Sequence, residues 1–262
     1  MKQRLFVIVM LAAMTAGVVS CNSASPTRFK ATVEALGGTK VAPSLKAGTP
    51  VALWDDNMRL QEALVELPSS EGENNIVRDD TATLTGVVRM VYPGSAVAGS
   101  AGCVAIDTVQ QVLPMGEGMV YYGETTAEAR DEVVMKAVSG IVCLHLTTPE
   151  RLASITLSTI DSNRYMAGAF EVTNYPFPVL EATEESVRSV TLTGMADTDF
   201  AQGAEVYAYM APGCYRTFTV QLTTTDGRVC TKNLKEGREV LVERNRVHSV
   251  ILGSDEQPLV FE

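Results

Sequence analysis

The segment Thr217-Phe218-Thr219-Val220-Gln221-Leu222-Thr223-Thr224-Thr225-Asp226-Gly227-Arg228-Val229 decides the fold class. From Thr217 to Leu222 polar and apolar side chains alternate, and a period of two residues belongs to a strand with one wet and one dry face. Phe218, Val220 and Leu222 share the dry face and should point into a core. Asp226-Gly227 then supplies a turn whose backbone tolerates positive φ, and Val229 resumes an extended run. The segment therefore reads as a β-hairpin.

Short runs of the same kind, rich in Val, Thr, Leu and Ile, continue on both sides of it. In the second half they lie at Val133 to Leu146, Ser154 to Thr159, Tyr165 to Val172, Ser186 to Thr193, Glu205 to Met210, Val229 to Asn233 and Glu239 to Leu252. Their spacing and turn residues predict an all-β sandwich. The first half offers Phe29 to Ala35, Pro50 to Trp54, Ala82 to Tyr92 and Gly118 to Tyr122, broken at Gly37-Gly38 and Pro93-Gly94. Helical periodicity is scarce, and short helices are expected only around Asn57 to Leu67 or Thr126 to Met135. Pro68 to Asp80 is polar and acidic, and Gly94 to Gly102 holds nothing large, so both read as loops. The polar stretch from Gly123 to Asp131 marks a boundary between an N-terminal β-sandwich domain at 29–125 and a C-terminal one at 126–262.

The N-terminus addresses the chain. Lys2 and Arg4 precede an apolar run from Leu5 to Val19, which ends in Val18-Val19-Ser20-Cys21. That is the order of a secretory signal: charged head, apolar stretch, small-residue exit. Fifteen helical residues reach only about 22 Å against a hydrocarbon core of about 30 Å, so the run is short for a membrane span. With residues 1–20 removed, 19 basic and 31 acidic side chains remain, a net charge of −12. A polyanion of this kind does not seek nucleic acid. Cys103, Cys143, Cys214 and Cys230 fit no compact disulfide or zinc spacing, and Cys214 with Cys230, flanking the hairpin, is the local candidate for a bridge.

Catalytic chemistry finds little support. The two histidines, His145 and His248, stand far apart, each inside an expected strand without a partner in a recognisable motif. Cys143 and His145 share a strand face and could begin a metal site, but the sequence places no further ligands nearby, so the pair is set aside. Gly99-Ser100-Ala101-Gly102 lacks the first glycine of a nucleophile elbow. Gly116-Glu117-Gly118 is a fragment of a phosphate loop. Asp55-Asp56-Asn57 and Asp197-Thr198-Asp199 lack the glycine and glutamate of a calcium loop. Trp54, Tyr121-Tyr122 and the pair Tyr207 and Tyr209 could present rings to a glycan only where they face outward. No enzyme, catalytic residue, metal or cofactor is expected.

Val18-Val19-Ser20-Cys21 resembles the lipobox of bacterial lipoproteins, which implies diacylation of the Cys21 thiol and a mature chain starting there. The succession that follows resembles the fimbrillin-like proteins of Bacteroidetes, lipoprotein subunits of type V pili. It runs through Phe29-Lys30-Ala31-Thr32-Val33, Gly38-Thr39-Lys40-Val41, Ala47 to Trp54, Val91-Tyr92-Pro93, Lys136 to Ile141, Ser154 to Leu157, Met166 to Phe170, Tyr207 to Pro212, Thr224 to Gly227 and Val247 to Leu252. The resemblance covers nearly the whole mature chain and rests on the order of segments.

What it implies is two tandem transthyretin-like β-sandwich domains behind a signal peptide at 1–20 and a lipidated tether at 21–28. It also implies an outer-membrane location through lipid on Cys21, and assembly with other fimbrial subunits by strand exchange. In that scheme a protease removes the first strand at an arginine, and a neighbour's strand fills the groove. The leaving strand would present Phe29, Ala31 and Val33. Arg28 and Arg59 are the possible processing points, since no arginine lies between them and only Lys40 and Lys46 fall in the expected linker. That departure from the pattern favours an unprocessed anchor or accessory subunit. The tail after Leu252 offers Leu259, Val260 and Phe261 as a donor segment or as a frayed end. A monomeric surface module binding a glycan or host protein is the alternative.

Overall fold

The computed structural model describes residues 27–37, 43, 45–66, 74–78, 83–130, 133–234, 239–254 and 257–262. Cys21, the signal segment and Lys40 lie outside the described residues. The first half contributes β1 (Thr27–Val33), β2 (Pro50–Trp54), β3 (Gln61–Val65), β4 (Asn74–Arg78), β5 (Val87–Tyr92), β6 (Cys103–Ile106), β7 (Val109–Gln111), β8 (Tyr121–Thr126) and β9 (Val133–Ala137). The second contributes β10 (Gly140–Leu146), β11 (Leu152–Ser158), β12 (Gly168–Thr173), β13 (Val179–Ala182), β14 (Ser189–Thr193), β15 (Ala204–Met210), β16 (Gly213–Tyr215), β17 (Phe218–Thr224), β18 (Val229–Leu234), β19 (Val240–Val242) and β20 (Val247–Leu252). The molecule is all-β, as its alternation predicts.

The hairpin around Asp226-Gly227 is β17 and β18, paired antiparallel from Phe218 opposite Leu234 to Thr223 opposite Val229. Gly227 takes φ +89° at its turn, where a side chain would be strained. Phe218, Val220 and Leu222 are buried in the larger of two apolar clusters.

A sandwich grows around that hairpin. One sheet runs β18-β17-β11-β14-β7 and the facing one β15-β10-β20. Ile155, Leu157, Val190 and Leu192 from the first meet Val142, Leu144, Leu146, Val206 and Leu252 from the second.

Seven other strands close a hydrogen-bonded ring, β1-β4-β3-β2-β5-β8-β9, while β13-β12-β6 and β16-β19 form two further small sheets. Phe29, Val51, Leu53, Ala63, Ile76, Val88, Met90, Val133 and Met135 fill it. The two cores interlock. Ile141 of β10 and Tyr209 of β15 reach into the ring's cluster, while Trp54, Val91 and Tyr122 turn from the ring into the other. β6 and β7 lie before residue 126 in sequence but pair with β12 and β14, and β9 lies after it but pairs with β1 and β8.

Several local expectations give way. Asn57 to Leu67 and Thr126 to Met135 hold β3 and β9, not helices, because each supplies alternate side chains to the ring. Within the expected loop Pro68 to Asp80, β4 pairs with β1 and β3 and buries Ile76. Gly94 to Gly102 does form a loop, with one 3-10 turn at Gly94–Ala96, but Ala96 packs into the larger core. The first strand starts at Thr27, so Arg28 lies inside its ladder, opposite Val77, and does not precede it. Cys214 and Cys230 are unpaired thiols, because Cys230 points into the core while Cys214 stands beside Glu239.

Candidate functional site

β1 lies between β4, antiparallel, and β9, parallel. Phe29 and Ala31 are fully buried, and Val33 packs against the same cluster. Lys30 and Thr32 point outward. Arg28 is exposed and paired with Glu66. Arg59 stands exposed in the connection between β2 and β3.

The chain beyond β1 is fastened to the turn between β19 and β20. Arg244 donates from both terminal nitrogens to the Glu34 carboxylate, and Lys136 stands 3.7 Å from it. The side-chain amide of Asn245 donates to the Ala35 carbonyl at 2.7 Å, and the Gly37 amide donates to the Asn245 carbonyl at 2.8 Å. Burial alone would raise the Glu34 pKa, but hydrogen bonds and charge from Arg244, together with Lys136, hold the carboxyl below its ordinary range.

The C-terminal tail folds back on its own half. Ser254 and Gln257 exchange backbone hydrogen bonds, and the tail then returns to β18, where Glu262 and Val229 exchange two more at 2.9 and 3.0 Å. Leu259 and Phe261 pack half-buried against the larger core, while Val260 is 64% exposed. Beside the tail runs a seam of about 810 Å³ between β18 and β20, the outermost strands of the two facing sheets. Its lining includes Lys232, Leu234, Val240, His248 and Leu252.

A third cluster escapes the sequence, because only the strand register creates it. Glu205 of β15 stands opposite His145 of β10, and Tyr207 opposite Cys143. Cys143 Sγ lies 3.5 Å from His145 Nε2, and His145 Nδ1 lies 3.1 Å from a Glu205 oxygen. The order thiol, imidazole, carboxylate is that of a nucleophilic triad, but Cys143 is only 3% exposed. Burial and the Glu205 charge push its pKa up to about 11, so the thiol stays protonated and is a poor nucleophile.

The aromatic side chains weighed as sugar platforms turn inward. Trp54, Tyr121, Tyr122 and Tyr209 are buried, and Tyr207 is half-buried. Phe177, in the β12–β13 connection, is an exposed ring that the alternation did not single out.

No protein-family model matches the chain, and no curated protein matches it. Among solved structures it is similar to a candidate cell adhesion protein from Bacteroides fragilis, at 10% identity and TM-score 0.46 over 88% of this chain and 90% of that one. It is similar to a fimbrial assembly protein from Parabacteroides distasonis, at 9% identity and TM-score 0.43 over 90% and 99%. A third is the tip fimbrial protein of Porphyromonas gingivalis, at 12% identity and TM-score 0.36 over 90% and 99%.

Proposed function

We propose that this chain is a non-enzymatic structural, anchor or accessory subunit of a surface fimbria. In this reading it is held at the outer membrane through lipid on Cys21 and joined to other subunits by strand exchange. The observation that carries the reading is the setting of β1, whose buried Phe29 and Ala31 complete a ring that the strand itself closes between β4 and β9. Loss of such a strand leaves two unpaired edges and an apolar slot, which is what an incoming strand binds.

The two arginines differ as points of release. Cleavage at Arg59 would free β1 and β2 together, whereas cleavage at Arg28 would leave nearly all of β1 in its ladder. The fastening of Glu34 and Ala35 to Arg244 and Asn245 opposes departure, which favours an anchor or accessory subunit whose first strand stays. A donor role for Leu259, Val260 and Phe261 requires the tail to give up its pairing with Val229.

A monomeric surface binding module for a glycan or host protein is the second reading. It is favoured by a cavity of about 310 Å³ lined by Gln110, Val120, Ser139 and Tyr209, in which the buried Ser139 hydroxyl has no hydrogen-bond partner among the described residues.

Intact mass and N-terminal mapping of protein taken from its native membrane, with electrophoresis before and after heating, tests both. A lipid-modified start at Cys21 with heat-resistant ladders is the expected result. A start after Arg28, Lys40, Lys46 or Arg59 would identify a processed stalk subunit, and a single heat-independent band would replace the fimbrial reading with the monomeric one.

A further inference from the structure

On the outer face of the β15-β10-β20 sheet, antiparallel register brings three different donor atoms together. Side chains directly opposite one another in such a pair share a face about 5 Å apart, so His145 and Glu205 meet across the strands while Cys143 and His145 meet along one. One ligand atom from each of Cys143, His145 and Glu205 lies within 4.8 Å of the other two.

A tetrahedral ion bound at about 2.0–2.3 Å sets its ligand atoms about 3.5 Å apart. The separation of Cys143 Sγ and His145 Nε2 is already 3.5 Å. With Nε2 as the ligating nitrogen, Glu205, whose oxygen stands 3.1 Å from Nδ1 and within 4.8 Å of the other two ligand atoms, must swing toward the ion, a movement open to a half-exposed side chain on the edge strand of its sheet. The Tyr207 hydroxyl donates to the other Glu205 oxygen and supplies the outer support that a ligating carboxylate needs.

Donor chemistry selects the cation. A thiolate, an imidazole and a carboxylate suit zinc, whereas magnesium and calcium take oxygen shells. When the ion binds, the thiol proton leaves to water, and the thiolate and carboxylate together balance a divalent charge. We propose that Cys143, His145 and Glu205 form a three-ligand site for a zinc-class divalent cation, with water at the fourth position. Such an ion staples β10 to β15, so it stabilises the sheet by mass action, increasingly as the free ion exceeds its dissociation constant. The site is independent of strand exchange and of any processing of β1.

Cobalt(II) added to the reduced full chain reads the site. One equivalent should produce a thiolate-to-cobalt charge-transfer band, and zinc should abolish it. C143S should lose the band. C214S should keep it, although the Cys214 thiol also stands beside a carboxylate, 2.9 Å from Glu239. H145Q and E205Q should each weaken cobalt binding by about tenfold or more. A wild-type chain without the band, a band that survives C143S, or unchanged affinity in E205Q would overturn the proposal. The wild type also decides without any variant: saturating zinc should raise its melting temperature, and an unchanged temperature would count against the site.

Discussion

Arg244 holds Glu34 across 210 positions of sequence, donating from both ends of its guanidinium to one carboxylate. This contact joins the exit of β1 to the turn between β19 and β20, and so couples the first strand to the C-terminal half. Both side chains are about four-fifths buried, so the pair is shielded from solvent more than a surface ion pair is. Removal of one partner strands the other, and R244A is expected to cost about 1–3 kcal/mol in urea denaturation. Trypsin should also cut faster at Arg28 in that variant. Equal cleavage rates would mean that the contact does not hold β1 in place.

The same carboxylate sets a pH dependence. Glu34 has a folded-state pKa below its unfolded value of about 4.5. A depressed carboxyl contributes stability that is fully present above the unfolded value and is lost as pH falls through the folded one. Wild-type stability should therefore drop below about pH 4.5 more steeply than that of E34Q. Parallel acid limbs in the two proteins would assign the acid sensitivity to other groups.

Alternation along β1 predicts a contrast between its faces. Phe29 is 0% exposed in the ring's core, and F29A should cost about 3–5 kcal/mol through lost burial and a cavity. T32A, on the outward face, should stay within about 0.5 kcal/mol of wild type. Chemical denaturation of the two variants measures the difference. Similar losses in both would contradict the register of β1 against β4 and β9.

Legibility in the sequence followed the length of the alternating run. Phe218, Val220 and Leu222 sit in an uninterrupted polar and apolar rhythm, and their inward face follows from that alone. Asn74 to Arg78 is hidden because its register is set by β1 and β3, and because Arg78, a residue type that usually marks a surface, is buried there beside Gln61. β6 and β7 are short and pair with strands far along the chain, so no local pattern announces them. The Cys143, His145 and Glu205 cluster shows the limit most clearly. Two members stand two residues apart and are readable together, whereas the third arrives through a strand pairing 60 residues away that spacing cannot reveal.

Gly253 fixes where the tail turns off β20. Its φ of +79° belongs to the left-handed region, and a Cβ there would lie 2.2 Å from the Thr147 carbonyl oxygen and 3.2 Å from Leu259. The neighbouring Thr147 amide donates to the Leu252 carbonyl at 3.1 Å, so the obstructing backbone is itself held in place. G253A should therefore cost more than about 2 kcal/mol. The loss should be local first, since the tail rests on two half-buried side chains and one backbone pair with β18. Hydrogen exchange at the Val229 amide, which donates to the Glu262 carbonyl, should accelerate in G253A before exchange within the β17–β18 ladder does. Unchanged protection at Val229 would mean that the tail holds its edge without this turn, and it would weaken the case for a tail that can be released to another subunit.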